Sequence, residues 1–423
     1  MLAIQFIREN PEATVAGLER RNFKNAAEVV QQAIDIDQNR RETQGELDSM
    51  LSEANQLAKQ IGGLMKARKR EEAEGIKSKT SELKTKSKGL EEQLRSFEEE
   101  LQNTLYTIPN LPHESVPAGK SADDNEEVFQ AGEVPELDDA AVPHWDLIKK
   151  YDIIDFELGN KVSGAGFPFY KGKGARIQRA LINFFLEEAI AAGYTEIQPP
   201  IVINEASGYG TGQLPDKEGQ MYHATADGLY LIPTAEIPLT NMFRDVILDE
   251  KDLPVKVTAH TPCFRREAGN WGAHVRGLNR LHQFDKVEVV QVCKPEDSYA
   301  ALDEMVEHVK HLLSKLELPY RILRLCGGDM GFTAALTYDF EVYSAAQKMW
   351  LEVSSVSNFE TYQANRLKLR HKVDGKTQVL HTLNGSALAL PRILAALLEN
   401  NQTTDGINVP EVLQRFCGFE KID

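Results

Sequence analysis

The stretch VKVTAHTPCFRREA, residues 255 to 268, reads as a β-strand that runs into three adjacent charges, Arg265, Arg266 and Glu267. Successive strand side chains point to opposite faces, so Cys263, Arg265 and Glu267 are expected on one side. A second strand, RLHQFDKVEVVQV (280–292), sets Phe284, Lys286 and Glu288 on one face and Asp285, Val287 and Val289 on the other. A third, MWLEVSSVSNF (349–359), sets Trp350 and Glu352 opposite Met349, Leu351 and Val353. Each strand sends a carboxylate or guanidinium off the kind of face that carries an aromatic. A ring to stack on, arginines for phosphate oxygens and carboxylates for Mg²⁺ or an ammonium would make a nucleotide site laid on a sheet. The water-facing side of an antiparallel sheet has the same polarity. Alternation alone leaves both readings open.

Working outward, GLYLIPTAEIPL (228–239) and QVLHTLNGSALAL (378–390) read as further strands. KGARIQRALINFFLEEAIAAGY (173–194) is an amphipathic helix with Ile177, Leu181, Phe184, Phe185 and Ala189 on one face, ended by Pro199 and Pro200 beyond it. SYAALDEMVEHVKHLLSKLEL (298–318) is helical as well. Runs of strands separated by helices, without a βαβ rhythm, predict an α+β domain on an antiparallel sheet.

The N-terminal quarter has a different texture. No proline occurs from Ala26 to Thr107, and then Pro109, Pro112 and Pro117 follow together. Leu47, Leu51, Ala54, Ala58, Ile61 and Met65 alternate steps of four and three; Ile76, Leu83, Leu90, Leu94, Phe97 and Leu101 keep that register, with Thr80 and Ser87 interrupting. This spacing predicts a coiled-coil seam. The charged KARKREEAEG (66–75), with Gly75, divides it into two antiparallel helices of roughly 35 to 40 residues, a rod of about 50 Å or more at ~1.5 Å per residue. Residues 59–88 hold ten Lys and Arg against four Glu, inside a chain of net charge −16. Such an arm suits a nucleic-acid backbone, whereas the acidic remainder argues against non-specific nucleic-acid binding by the whole surface. A spacer or dimerisation coiled coil would share the pattern. The Pro-rich 108–128 is a linker. The expected organisation is an N-terminal domain over 1–110, a linker and the start of the catalytic domain over 111–160, and the catalytic domain over 161–423.

Several classes are excluded. No run reaches the ~18 apolar residues of a membrane span, and MLAIQFIREN lacks the basic start of a signal peptide. Cys263, Cys293, Cys326 and Cys417 are scattered without metal-ligand spacing, which predicts reduced thiols in a cytoplasmic protein and no zinc. Gly119-Lys120-Ser121 is not a phosphate loop, because Glu114 stands where the pattern needs glycine; Gly164-x-Gly166 and Gly172-x-Gly174 each lack a third glycine.

The order TEIQPP (195–200), TAE (234–236), FRREAG with RGLNRLHQFDKVE (264–269 and 276–288), EVSSVSNF (352–359) and LNGSALALPRILAALLEN (383–400) resembles the three motifs of class II aminoacyl-tRNA synthetases. With the basic hairpin, and with TAE and NGSALALPR, the chain is similar over essentially its whole length to the bacterial type of the seryl-tRNA synthetase family. No HIGH-like or KMSKS-like class I signature is present. The resemblance implies a class II antiparallel sheet carrying an N-terminal helical hairpin. It also implies ATP-dependent activation of L-serine, followed by transfer to the 3′ end of serine tRNA, with Mg²⁺, in a homodimer.

By that resemblance Arg265, Arg392 and Glu352 are catalytic. Arg265, Arg266, Glu267, Leu281, Phe284, Arg392 and the run Glu352, Val353, Ser354, Ser355 hold ATP, and Glu352 and Ser355 hold Mg²⁺ through it. Thr234, Ala235, Glu236, Arg265, Glu288 and Ser386 receive serine. Lys66, Arg68, Lys69, Arg70, Lys77 and Lys79 meet the long variable arm of serine tRNA or, where one exists, of selenocysteine tRNA. Arg265 is the stronger claim; Arg266 points the other way on a regular strand. Glu352 and Ser355 have opposite parity on a flat strand, so the strand must bend there or Ser355 must act through its backbone. NWGAHVRG (270–277) departs from the family's usual arginine-rich loop at Trp271 and His274. A synthetase-like ligase of carrier proteins would lack the hairpin, and a non-catalytic relative would lose the motif arginines.

Overall fold

The arm and the sheet domain solve different packing problems, and the structure divides accordingly. The computed structural model describes residues 1–216, 219–267 and 276–423. It forms two compact units, one of residues 2–19 and 23–109, the other of residues 1, 20–22 and 110–423.

In the first unit, α1 (Ala26–Lys66) and α2 (Arg70–Thr107) run 41 and 38 residues and pack against each other as a hairpin. The turn is tighter than the expected KARKREEAEG. Arg68 takes a left-handed φ of 61°, Lys69 N–H donates to Leu64 O and Arg68 N–H to Met65 O. These two bonds cap the helix C-terminus, with arginine in the place glycine usually takes. Gly75 lies inside α2, away from the turn.

The seam also differs in α1. Thr43, Leu47, Met50, Ala54, Leu57, Ile61 and Leu64 are covered, while Leu51 and Met65 are 40% and 46% exposed. The step from Thr43 to Leu47 is already four. A second four would carry the stripe about 80° around the helix, whereas four plus three keeps it within ~20°. In α2 the expected residues from Ile76 to Leu101 face inward, with Ser87 covered among them.

The second unit is built on one eight-stranded sheet. In chain order its strands are β1 (Glu126–Ala131), β2 (Thr195–Glu196), β3 (Val255–Phe264), β4 (Gln283–Cys293), β5 (Tyr320–Arg324), β6 (Leu336–Ser344), β7 (Met349–Asn358) and β8 (His381–Ala389). Their spatial order is β1-β5-β6-β7-β8-β4-β3-β2, antiparallel throughout except for the parallel β2–β3 pair at one edge. The core cluster joins Val287, Val289, Val353, Val356, Leu383 and Ala387 of the sheet to α3 (Gly172–Ala191), α5 (Ser298–Lys315) and α7 (Leu390–Asn400). The expected stripe of α3, from Ile177 to Ala189, is buried in this cluster. Gly385 lets the strands close on α5: a Cβ there would meet Val356 and Met305 at 3.0 and 3.3 Å.

Three strand readings are corrected. β3 ends at Phe264, so Arg265, Arg266 and Glu267 leave the sheet; Arg265 N–H still reaches His282 O at 2.9 Å, but Arg266 N–H turns to Gln220 O. In 228–239 only Leu229–Leu231 is strand, and the TAE segment opens a short helix, α4 (Glu236–Asn241). Residues 376–390 form two strands, Lys376–Val379 and β8.

Candidate active site

The polar face of the sheet, opposite the helices, forms the floor of a cavity of about 650 Å³. β4 contributes Phe284, Lys286 and Glu288 by simple alternation. Two bulges set the rest. On β7 the partners Glu352↔Glu341 and Ser354↔Phe340 leave Val353 unpaired. The extra residue reverses the alternation, so Val353 and Val356 are both buried while Glu352 and Ser355 both line the cavity. Of the two alternatives that parity left open, a bend or a backbone contact from Ser355, the bulge supplies the bend. On β8 two residues, Ala387 and Leu388, lie between Ser386 and Ala389, where β4 has only Val287 between Lys286 and Glu288. The slack falls at Leu388, a buried leucine held at φ 91°, a conformation that costs a side chain of this size energy and is found where a site demands it.

Two chemically distinct ends result. At the deep end Lys286 and Glu288 form an ion pair with side chains 7% and 2% exposed. Lys286 Nζ also donates to Thr234 Oγ1 at 2.9 Å, and that hydroxyl donates to Glu288 Oε2 at 3.2 Å. Glu236, buried at the start of α4, accepts a 2.5 Å hydrogen bond from Gln363 Nε2. Burial, and then the neighbouring Glu288 charge, push the Glu236 carboxyl up to about 7. Burial likewise raises Glu288 above the usual carboxylate range, against the pull of Lys286. Two carboxylates with one buried cation leave an acidic pocket, suited to a small ammonium.

At the open end the groups are basic and aromatic. The Arg265 guanidinium lies 5.2 Å from the Phe284 ring centre. Arg392, from the first turn of α7, donates from Nε to Asn279 O at 3.0 Å and from Nη1 to Glu352 O at 2.7 Å. Arg280 pairs with Glu267 at 2.7 Å. Asp339, directly across from Ser355, hydrogen-bonds it; burial and then the Glu352 charge push the Asp339 carboxyl well above its ordinary range. Glu352 and Ser355, hard oxygen donors on one face beside this second carboxylate, fit a Mg²⁺ that completes its shell with phosphate oxygens.

This constellation has relatives. Residues 221–401 match the tRNA synthetase class II core domain (G, H, P, S and T), and residues 1–112 match the seryl-tRNA synthetase N-terminal domain. The chain is 50% identical over 425 residues to the serine–tRNA ligase of Salinibacter ruber, covering 100% of this chain and 99% of that one. It is 48% identical over 428 residues to that of Caldicellulosiruptor bescii, covering 100% of both. The crystal structure of seryl-tRNA synthetase from Pyrococcus horikoshii complexed with ATP superposes with a TM-score of 0.93 at 33% identity, over 100% of this chain and 99% of that one. The chain belongs to the seryl-tRNA synthetases.

Of the residues expected at a seryl-tRNA synthetase site, Thr234, Glu236, Arg265, Glu267, Leu281, Phe284, Glu288, Glu352, Val353, Ser354, Ser355, Ser386 and Arg392 converge on the cavity. Two do not. Ala235 packs its methyl with Leu239, Val257, Ala259 and Val290. Arg266 is exposed outside the lining, because its backbone turns toward Gln220. Trp271 and His274 lie outside the described residues.

Residues that motif matching missed are Lys286, Gln363, Asn384, Asn279 and Asp339. Lys286 was legible, since it shares the parity of Phe284 and Glu288. Gln363 was not: it arrives from a separate helix, α6 (Thr361–Leu367). On the arm, Lys66, Arg68, Lys69, Arg70, Lys77 and Lys79 are all exposed. Lys69, Lys77 and Lys79 pair with Glu72, Glu74 and Glu53 at 2.8 to 3.0 Å.

Proposed function

We propose that the cavity activates L-serine with ATP and then transfers the seryl group to the terminal ribose of serine tRNA. The observation that carries this reading is the division of the cavity: an acidic, buried end that suits an ammonium, and a basic, ring-bearing end for a nucleotide. The ATP-bound state of the Pyrococcus relative supports ATP as the nucleotide.

In this reading the serine ammonium sits on Glu236, and its hydroxyl meets Glu288 and Ser386. The serine carboxylate attacks the α-phosphorus, the bond to the β-phosphate oxygen breaks, and pyrophosphate leaves. The substrate carboxylate is already a nucleophile, so the protein's task is positioning and charge stabilisation. Arg265 serves the α-phosphate from beside the Phe284 ring, on which adenine would stack, and Arg392 serves the leaving phosphates. Glu352 and Ser355 would hold Mg²⁺, which when bound neutralises phosphate charge. A ribose hydroxyl of the tRNA then attacks the acyl carbon and AMP departs.

Alanine would leave Glu288 and Ser386 without a hydroxyl to bond, a loss that supports discrimination up to ~10⁴-fold. The exposed basic turn of the hairpin supports binding of the tRNA variable arm by its phosphates and shape, and the same contacts would accept selenocysteine tRNA. From the end of α3 to just beyond β2, residues 190–202 leave Ile190, Ile201 and Val202 exposed, which supports a homodimer. Four unpaired, buried cysteines support a cytoplasmic setting. Among the described residues no helix is long and apolar enough to cross a membrane.

The test is serine-dependent ATP–pyrophosphate exchange followed by charging of total tRNA. Exchange with serine but not alanine, and acceptance by serine tRNA, are the expected results. Exchange driven equally by another amino acid would overturn the reading.

A further inference from the structure

Gln363 is 1% exposed and lies on α6, outside every motif that marks the site. Its amide cannot flip. Nε2 faces two groups that only accept: Glu236 Oε1 at 2.5 Å and the Thr211 carbonyl at 3.3 Å. Its Oε1 in turn accepts from Thr382 Oγ1 at 2.8 Å, a hydroxyl on the second residue of β8. Both amide hydrogens and the oxygen are therefore assigned by partners on three different segments.

We propose that Gln363 is a positioning residue of the ammonium pocket: its locked amide holds one Glu236 oxygen, keeping the carboxylate ionised and turning its remaining lone pairs toward the substrate ammonium. The role rests on the reading of the site given above. The need for such a donor follows from the charges around Glu236. Glu288 and Lys286 face it from β4, and among the described residues Gln213, at 3.4 Å, and Asn384 add neutral contacts. Lys286 is already committed to Glu288 and Thr234. A second buried carboxylate beside Glu288 would otherwise take up a proton and present an O–H to a cation. A hydrogen bond to the charged form opposes that protonation.

The experiment compares pH profiles of kcat/KM for serine in ATP–pyrophosphate exchange. Gln363→Leu keeps the volume and removes the donor. Its acid limb should move up by roughly one pH unit, so that at pH 7 the serine KM rises about fivefold, recovering at higher pH, with the KM for ATP unmoved. Thr382→Val removes the donor that anchors the amide oxygen, loosening the amide, and should shift the limb in the same direction by less. It also serves as the test if Gln363→Leu does not give a cooperative unfolding transition. An acid limb that stays in place in both variants, or a pH-independent fall in kcat, overturns the proposal. Absence of serine-dependent exchange in the unmodified chain would instead sink the underlying assignment of the site.

Discussion

Two lysine–glutamate pairs in this molecule show what position does to identical chemistry. On the arm, Lys79 and Glu53 meet at 2.8 Å with side chains 60% and 45% exposed. In the sheet, Lys286 and Glu288 meet with side chains 7% and 2% exposed. The first pair stands in water, which screens it and competes for both partners, so its removal changes little. The second has lost its hydration, and each charge depends on the other and on Thr234. The arm can hold many charges cheaply and lend them to a polyanion. The sheet's outer strands carry exposed pairs of the same kind, such as Arg324 with Glu126, but the buried pair of its centre lines the cavity.

The comparison can be broken at its strongest point. Glu288→Ala leaves Lys286 buried without its counter-charge and removes the proposed acceptor for the serine hydroxyl. The expected loss in kcat/KM for serine is on the order of a thousandfold, read in ATP–pyrophosphate exchange. Activity near that of the unaltered chain would mean that the buried pair is structural only. Lys286→Met isolates the reverse case. An unpaired Glu288 should destabilise the fold by about 3 kcal/mol in urea unfolding, unless the carboxyl takes up a proton, in which case the loss grows as pH rises.

The arm is expected to behave in the opposite manner. The combined Lys66→Ala, Arg68→Ala and Arg70→Ala variant should raise the KM for serine tRNA by about tenfold and flatten its salt dependence by roughly two to three logarithmic slope units, while pyrophosphate exchange stays intact. Equal loss in both reactions would make the hairpin a structural part of the catalytic unit. The smallest effect is predicted for Lys79→Ala, which should leave the thermal unfolding midpoint where it is. A clear drop would show that this exposed pair is worth more than its solvent exposure allows.

One charged residue at the base of the arm crosses the divide. Asp37 is fully buried on α1 and accepts from Arg8, Arg40 and Arg41. Burial acts to raise its pKa, but the hydrogen bonds and charges of Arg40 and Arg8 outweigh it and hold the carboxyl below its ordinary value. Its contribution to stability is therefore present above the ordinary carboxylate range and is lost as pH falls through the lowered value. Asp37 falls seven residues after the buried Val30, on the covered stripe of α1, whereas Asp35 and Asp48 fall off it and are exposed.

That contrast marks what could be read without coordinates. Alternation on β4 set Phe284, Lys286 and Glu288 on one face, because a strand's period of two needs no partner to be legible, and the family resemblance named Phe284 and Glu288 as site residues. The seven-residue stripe of α2 and the amphipathic face of α3 were legible for the same reason. The seam of α1 slipped after Leu47, where two equally apolar choices, Met50 and Leu51, are separated only by the cumulative phase of the helix. Arg265 was placed correctly on the cavity side, although the strand that was expected to carry it ends one residue earlier.

The sequence by itself determined the periodicities, the charge of the hairpin and the order of motifs, since each is a property of neighbours along the chain. Only the tertiary structure decided that Val353 would be squeezed out of the ladder to bring Glu352 and Ser355 onto one face, that Ala235 and Arg266 would turn away, and that Gln363 would arrive from another helix to hold Glu236. These outcomes depend on strand register and on which polar groups lose water together, and both are set by contacts between residues far apart in the chain.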